Sequence, residues 1–158
     1  MPVLWAEMLG DIENPDLPPD SIAALRRSVG WGGMDAELKD PAMKDYLRIA
    51  CFDGDELVGF LAVVSNGVTD AYIQDVMVRP DYQGRGIGTE LMERAIERLK
   101  RSRIYMISVI YGEEELRPFY EKFGFYTMLC GQMETRPESG ETGERGVSGV
   151  STERNIQR

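Results

Sequence analysis

The amino-acid sequence predicts an α/β domain in which helices flank a central sheet with both antiparallel and parallel strand pairs. Three observations indicate this fold class. The spacing of apolar residues changes from helical to strand-like at Leu47, a strongly amphipathic stretch covers residues 89–101, and further strand-like runs follow it. A chain with elements in this order packs its helices against the faces of one sheet.

The first part of the chain predicts a short strand and two helices. The expected elements are a strand within residues 1–19, a helix over residues 20–29, and a less regular helix near residues 35–38 and 42–46. Asp20 or Ser21 can cap the first helix, since both side chains can accept a hydrogen bond from an unpaired N–H of its first turn. Pro41 interrupts the second helix, because proline removes a backbone donor.

The remaining elements alternate between strands and helices. The expected strands cover residues 47–52, 57–64, 71–78, 104–110 and 125–133, and the expected helices cover residues 89–101 and 114–123. The sequence DGDE at residues 53–56 predicts a tight hairpin turn between the first two of these strands. Acid–base pairs at i,i+4, such as Glu90 with Arg94, mark the polar face of the long helix and leave its apolar face for the sheet.

Composition divides the chain of 158 residues into one domain and a tail. Residues 1–136 carry the apolar pattern and are expected to form the domain. Residues 137–158 contain no aromatic residue and few large apolar residues, so we expect a flexible polar tail rich in Gly, Ser and Glu. The tail contains four acids and three bases, so the domain keeps about −8 of the net charge of −9.

The chain contains no histidine and two cysteines. This excludes His-based nucleophile systems, His-ligated zinc, an imidazole base and a four-thiolate metal site, so no metal is expected. Proton transfer near neutral pH must therefore use a carboxylate, Tyr, Cys, Lys or water. Cys51 and Cys130 have apolar neighbours in the sequence and are expected to be buried free thiols, with one disulfide as the alternative.

The balance of 27 acids against 18 bases disfavours nucleic acid as a partner, because phosphates need a basic face. An acidic surface suits a cationic small substrate, although solubility explains the charge equally well. The longest apolar run, residues 57–64, is too short to span a bilayer, and the N-terminus lacks the basic start of a signal peptide. We therefore expect a cytoplasmic protein with no membrane partner.

The most informative stretch is residues 76–89, VMVRPDYQGRGIGT, where a strand leads into a glycine-rich turn that opens the long helix. The first N–H groups of a helix have no intrahelical partner, and glycines let phosphate oxygens approach the backbone. The stretch therefore predicts an anion site. Gly88 comes one residue too early for a dinucleotide-binding turn, and the Gly-Lys-Ser/Thr of ATPase phosphate loops is absent.

Two blocks of sequence resemble the GCN5-related N-acetyltransferase (GNAT) superfamily. Gln83-x-x-Gly86-x-Gly88 is similar to its acyl-coenzyme A pyrophosphate loop. Residues 119–125, FYEKFGF, are similar to its Tyr-x-x-x-Gly-Phe segment and follow at the expected distance. The resemblance covers roughly residues 47–134 and implies the acyltransferase fold of that superfamily.

The resemblance implies direct transfer of an acetyl group from acetyl-CoA, the co-substrate, to a primary amine. It places acetyl-CoA in a V-shaped gap between the strands at residues 71–78 and 104–110. The residues that it assigns to acetyl-CoA are Val76, Met77, Val78, Gln83, Gly84, Arg85, Gly86, Ile87, Gly88 and Thr89. The strand backbone would pair with the pantetheine arm and polarise the thioester, while the turn would hold the pyrophosphate, with Arg85 as an added charge.

The same resemblance assigns to Tyr120 the protonation of the departing thiolate, a role that suits a phenol because phenol and thiol pKa values lie close together. The alternative for Tyr120 is a core aromatic. Asp75 could order or deprotonate the incoming ammonium, or simply face solvent. Strand alternation turns Gln74 to the opposite face, so at most one of the two faces the acceptor. Trp31 could wall the acceptor pocket or pack in the core.

A small cationic amine is the expected acceptor, and three other expectations remain open. A protein N-terminus or lysine could be the acceptor instead. A non-catalytic acyl-CoA-binding or regulatory domain would keep the glycine turn without the chemistry. The superfamily also allows a homodimer, which no feature of this sequence requires.

Overall fold

The computed structural model describes residues 2–10 and 17–136, and the expected tail at residues 137–158 lies outside this part. The strands are β1 (Leu4–Leu9), β2 (Leu47–Asp53), β3 (Glu56–Ser65), β4 (Asp70–Val78) and β5 (Met106–Val109). The α-helices are α1 (Pro19–Ser28), α2 (Asp35–Leu38), α3 (Ile87–Arg101) and α4 (Arg117–Glu121), and single 3-10 turns at Pro80–Tyr82 and Glu114–Leu116 precede α3 and α4. This order confirms the predicted α/β class.

A mixed sheet with the strand order β1-β2-β3-β4-β5 forms the centre of the domain. The first four strands pair antiparallel with their neighbours, and β5 pairs parallel with β4. The β4–β5 pairing begins at Asp70 with Met106 and ends at Ile73 with Val109. Because β4 continues to Val78, its pairing with β5 ends before the strand does and leaves a gap in the sheet hydrogen bonding, where the resemblance implies a V-shaped opening.

Helices cover both faces of the sheet and bury two apolar clusters. The first cluster lies under α3 and α4 and includes Leu91 and Tyr120. The second lies under α1 and includes Ile22, Phe60 and Met77. Each fully buried aliphatic side chain contributes about 1.5–3 kcal/mol, so the two clusters together hold the helices on the sheet. Within residues 2–10 and 17–136, none of the helices is long and apolar enough to cross a membrane.

Helix α3 has the amphipathic face that its sequence predicts. Its largest fully buried side chains are Leu91, Met92 and Leu99, which face the sheet. Two i,i+4 ion pairs form on its other face, Arg94 with Glu90 at 2.8 Å and Arg101 with Glu97 at 3.1 Å. The helix begins two residues earlier than predicted, at Ile87, so the glycine turn leads directly into its first turn.

A β-bulge interrupts β4 at Asp75. Ala62 of β3 pairs with Gln74. Phe60, two residues earlier on β3, pairs with Met77, three residues later on β4, so β4 contains one residue more than its partner. Asp75 has a φ of +53°, in the left-handed region that L-residues rarely adopt.

The bulge changes which side chains share a face of the sheet. Ile73 and Val76 both belong to the cluster under α3, although strict alternation would place residues three apart on opposite faces. Gln74 follows Ile73 and Asp75 precedes Val76, so alternation from each neighbour places both side chains on the face that carries α1. The prediction that they point to opposite faces is therefore wrong, because it assumed a regular strand.

The C-terminal end of the described chain also differs from the prediction. Residues 125–133 form no strand, and the large apolar side chains at Tyr126, Met128, Leu129 and Met133 are exposed. Apolar residues favour a strand, but a strand also needs a neighbour for its backbone N–H and C=O groups, and β5 pairs with no described residue on its outer side. Cys130 is exposed for the same reason, which corrects the expectation that it is buried. Cys51 is buried, and both thiols are free.

The remaining differences concern the helices. Helix α1 begins at Pro19 and has no side-chain cap from Asp20 or Ser21. Residues 42–46 contain no helix, since Tyr46 enters the sheet region and its N–H donates to the Val63 carbonyl at 2.8 Å. Helix α4 is shorter than predicted and carries its proline in the first turn, where no backbone donor is needed.

Candidate active site

The candidate site begins at the free side of β4. Beyond Ile73, this strand keeps β3 on one side but has no strand partner on the other side within the described chain. The backbone of Val76–Val78 therefore lies beside the gap, while the three side chains are buried in the two clusters. Such a strand edge offers N–H and C=O groups to an extended ligand, which can pair with it as a further strand would.

The glycine turn lies at the end of β4 and combines two left-handed glycines. Gly84 has a φ of +76° and Gly86 a φ of +85°, conformations that glycine adopts without strain. A Cβ built on either residue would have no atom within 4 Å, so the surface of the turn is open. Gly86 is also the N-cap of α3, and no side chain caps this helix end. Its first N–H groups are therefore available to an anion.

Two residues predicted to bind acetyl-CoA have no side chain to offer a ligand at the surface of the turn. Ile87 and Gly88 are buried, and the Ile87 side chain belongs to the cluster under α3. A Cβ on Gly59 of β3 would lie 2.8 Å from Ile87 Cγ2, so the absence of a side chain at Gly59 lets the first turn of α3 rest on the sheet. This contact fixes the height of the helix N-terminus above the sheet.

Side-chain hydrogen bonds hold the turn to the end of β4. Gln83 Nε2 donates to the Val78 carbonyl at 3.1 Å, so this side chain braces the turn against the strand. Arg79 Nη1 lies 2.6 Å from Glu56 Oε2, and Arg79 Nε lies 2.7 Å from Asp81 Oδ1. The hydrogen bond from the Arg79 guanidinium holds the pKa of Asp81 below its usual range. The approach to the turn is thus fixed by contacts within the protein.

Tyr82 organises two cations beside the turn. The guanidinium carbons of Arg79 and Arg85 each lie 4.6 Å from the centre of its ring. Its hydroxyl donates to Asp53 Oδ2 at 2.5 Å, and this hydrogen bond raises the pKa of Tyr82. Arg85 Nη2 also donates to the Asp81 carbonyl at 3.0 Å. The exposed guanidinium of Arg85 is therefore held next to the turn, as an added charge for an anion should be.

A third cation reaches the site from α4. Lys122 Nζ donates to Thr89 Oγ1 at 2.8 Å, and it lies over the Phe119 and Phe123 rings at 4.5 and 5.0 Å. Thr89 is in the first turn of α3, so the ammonium adds positive charge to the positive end of the helix. Lys122 is not among the residues predicted for the site, although it lies in the same sequence block as Tyr120.

Tyr120 lies inside the cluster that supports the site. Its side chain is fully buried, with its ring stacked on Tyr111 at 4.8 Å and edge-on to Phe119 and Phe125 at 5.0 and 6.3 Å. The same cluster contains Ile87 of the glycine turn. Tyr120 and the turn therefore lie on one side of the sheet, and the Lys122–Thr89 contact joins the two predicted sequence blocks in space.

The predicted acceptor residues lie toward α1. Asp75 Oδ1 forms an ion pair with Arg26 Nη1 at 2.7 Å, and the Asp75 side chain is 23% exposed. Gln74 is partly buried beside it in sequence. Trp31 packs against the clusters on both faces of the sheet, and its ring lies 5.3 Å from the guanidinium carbon of Arg26. Arg26 is not among the predicted residues, because the sequence around a single Arg on a helix does not indicate that its side chain is buried.

The arrangement suits an extended anionic molecule. A strand edge, an uncapped helix N-terminus with open glycines, and cations at Arg85 and Lys122 follow one another, so an arm could pair with β4 while phosphates occupy the turn. Acetyl-CoA has this shape and charge distribution. The described residues contain no group of three or more Cys, Asp or Glu side chains placed to hold a metal ion.

The chain is similar to known acetyltransferases. The model of the acetyltransferase (GNAT) family matches residues 6–125. An uncharacterized N-acetyltransferase of Pyropia yezoensis is 36% identical over 117 residues, which cover 71% of this chain and 67% of the relative. A histone acetyltransferase of Glycine max is 30% identical over 128 residues, covering 73% of this chain and 53% of the relative. An uncharacterized N-acetyltransferase of Porphyra purpurea matches over 39% of its own length, so the chain spans well under two thirds of some relatives.

Solved structures share the fold. A GNAT family acetyltransferase of Streptococcus pneumoniae has a TM-score of 0.63 at 22% identity, over 85% of this chain and 99% of that chain. Glucosamine-6-phosphate N-acetyltransferase of Arabidopsis thaliana has a TM-score of 0.62 at 16% identity, over 83% and 97% of the two chains. These identities support the fold alone. Since the family match spans the strand edge and the glycine turn, and the relatives agree with it, the chain belongs to the acetyltransferase (GNAT) family.

Proposed function

We propose that the protein is an acetyl-CoA-dependent N-acetyltransferase that transfers the acetyl group directly to a primary amine. The observation that carries this proposal is the continuity of the open β4 edge with the glycine turn and the N-terminus of α3. An acyl-CoA arm and its pyrophosphate need these two features in this order. Family membership supports the same reaction.

In this proposal the backbone of β4 stabilises the negative charge that develops during the reaction. The amine nitrogen attacks the thioester carbonyl carbon, and an N–H group of Val76–Val78 stabilises the oxyanion that forms. The C–S bond then breaks, the thiolate takes a proton from Tyr120, and the amine loses its proton to water or to a carboxylate. No acyl-enzyme is required, since Cys51 is buried and Cys130 lies on the exposed segment outside the site.

We propose a small cationic amine as the acceptor. The domain carries about −8 of the chain's charge, which attracts a cation by long-range electrostatics. A protein lysine or N-terminus is the second candidate, and the similarity to a histone acetyltransferase of Glycine max favours it.

A panel of acceptors tests the proposal. Acetyl-CoA is incubated with polyamines, amino sugars, aminoglycosides and lysine peptides, and released CoA is measured with a thiol reagent. Cys130 is exposed and would react with that reagent, so the assay uses a Cys130→Ser background. The N-acetylated form of each amine serves as a matched control that cannot accept. Tight acetyl-CoA binding without turnover on any amine would favour the non-catalytic alternative.

The role of Tyr120 is tested by Tyr120→Phe, with Tyr111→Phe as the matched control. Both changes remove one hydroxyl from the same stacked pair and preserve the rings. We expect Tyr120→Phe to lower kcat by about 100-fold, the usual contribution of a general acid, with acetyl-CoA affinity nearly unchanged. Tyr111→Phe should keep kcat close to that of the parent. Equal turnover in the two variants would exclude Tyr120 as the acid.

A further inference from the structure

A buried arginine joins the acceptor side of the site to the bulge of β4. Arg26 on α1 is only 4% exposed. Its Nη1 lies 2.7 Å from Asp75 Oδ1, its Nε donates to the Gly32 carbonyl at 2.7 Å, and its guanidinium carbon lies 5.3 Å from the centre of the Trp31 ring. One side chain thus contacts the bulge and the loop that follows α1.

The partner of Arg26 has an uncommon backbone conformation. Asp75 adopts a φ of +53°, and a left-handed conformation costs an L-residue about 1–2 kcal/mol, less for Asp than for most. It is the residue at which β4 gains its extra position relative to β3. The side chains after it, including those of Val76–Val78, therefore point to the faces opposite to those that a regular strand would give them. The orientation of the backbone beside the gap depends on this one bend.

We propose that Arg26 is a positioning residue for acetyl transfer, which acts by holding Asp75 at the bulge and the Gly32 loop in a fixed relation to it. The ion pair stabilises the left-handed conformation of Asp75, and this conformation directs the Val76–Val78 N–H groups toward the thioester. The hydrogen bond from Arg26 to Gly32 and the contact of Arg26 with Trp31 hold the loop after α1 next to Asp75. This inference rests on the proposed acetyltransferase function.

The ion pair also gives Asp75 a role other than general base. Asp75 Oδ1 is engaged by the buried guanidinium of Arg26, and removing one partner of a buried ion pair is costly, so this carboxylate oxygen belongs to a structural contact rather than to the acceptor. Asp75 instead serves the reaction through its backbone conformation, and the acceptor proton passes to water.

A series at Asp75 separates conformation from proton transfer. The variants are Asp75→Asn, Asp75→Gly and Asp75→Ala, none of which has a carboxylate. Asn and Gly adopt left-handed conformations more readily than Ala, and Asn can still accept a hydrogen bond from Arg26. We expect kcat to fall in the order Asn, Gly, Ala, with Ala about tenfold below Gly, the factor that corresponds to the cost of the left-handed conformation.

The binding of acetyl-CoA provides the readout that a general loss of structure would not reproduce. The glycine turn does not contact Arg26 or Asp75 among the described interactions, so it should keep its share of the binding, and the Kd for acetyl-CoA should rise by a smaller factor than kcat falls. Equal loss of kcat in Asn, Gly and Ala would overturn the inference and favour Asp75 as the base. So would Ala being as active as Gly, or a loss confined to acetyl-CoA binding.

Arg26 variants extend the test. Arg26→Gln removes the charge, and the double variant Arg26→Gln with Asp75→Asn restores a neutral hydrogen-bonded pair, so the double variant should have a higher kcat than Arg26→Gln alone. Arg48→Gln, which breaks the Arg48–Asp45 ion pair of equal length away from β4, is the matched control and should retain kcat. If the Arg26 variants do not fold, the Asp75 series decides. A wild-type protein inactive with every amine would contradict the proposed function instead.

Discussion

Gly86→Ala separates the cost of a left-handed backbone from the loss of a ligand contact. Gly86 has a φ of +85°, and an added Cβ would meet no atom within 4 Å. The change to stability should therefore come from backbone strain alone, about 1–2 kcal/mol. Gly10, which follows β1 at the opposite edge of the sheet, has a φ of +73° and is equally open. Gly10→Ala is thus a control matched in strain and space but remote from the glycine turn.

The two alanine variants should lose similar stability but differ in binding. A loss of about 1–2 kcal/mol lowers Tm by several degrees in a domain of this size, which thermal unfolding measures. At Gly86 the new methyl group would also keep a phosphate oxygen from the N–H groups of the turn. Loss of one charge-assisted hydrogen bond costs about 1.5–3 kcal/mol, so the Kd for acetyl-CoA should rise about 10- to 150-fold. Calorimetric titration tests this, and equal acetyl-CoA affinity in Gly86→Ala and Gly10→Ala would refute the phosphate role of the turn.

Three further predictions concern packing and the thiols. Gly59→Ala should destabilise the fold by about 1–3 kcal/mol in chemical unfolding, because its Cβ would lie 2.8 Å from Ile87 Cγ2; wild-type stability would contradict this. Burial raises the pKa of the Cys51 thiol to about 11 from 9.0, so folding favours the neutral thiol. The stabilisation that this pKa shift contributes is complete below pH 9 and declines as the pH rises toward 11, by about 2 kcal/mol at most. The stability difference between the wild type and Cys51→Ala, measured against pH, tests this, and a difference that stays constant with pH would argue against it. Thiol labelling of the native protein should modify Cys130 alone, whereas modification of both thiols at equal rates would mean that Cys51 is accessible.

The glycine turn shows what sequence reasoning can reach. Residues 76–89 predict a strand, an anion-binding turn and a helix because each feature depends on local properties: apolar runs, residues that permit positive φ, and the unpaired N–H groups of a helix start. The structure confirms the turn and places its glycines in left-handed conformations. Helix α3 and its ion pairs could be predicted for the same reason, because they too depend on residues close together in the sequence.

The errors arose where a residue depends on a distant partner. The run at residues 125–133 has the composition of a strand, but no strand of the described chain lies beyond β5 for it to pair with. Gln74 and Asp75 were assigned to opposite faces because nothing in the sequence reveals a bulge, whose position depends on the pairing of β4 with β3. Lys122 entered the site only because α4 packs beside the first turn of α3.

The sequence by itself determined the fold class, the family and the stretch of backbone where an anion can bind, since each follows from the order and local pattern of residues. Only the tertiary structure decided which groups meet there. It paired Arg26 with Asp75, brought Lys122 to Thr89, and set α3 on the sheet at Gly59. These contacts join residues that are 28 or more positions apart, or that lie on separate elements, and their formation depends on how the whole chain packs.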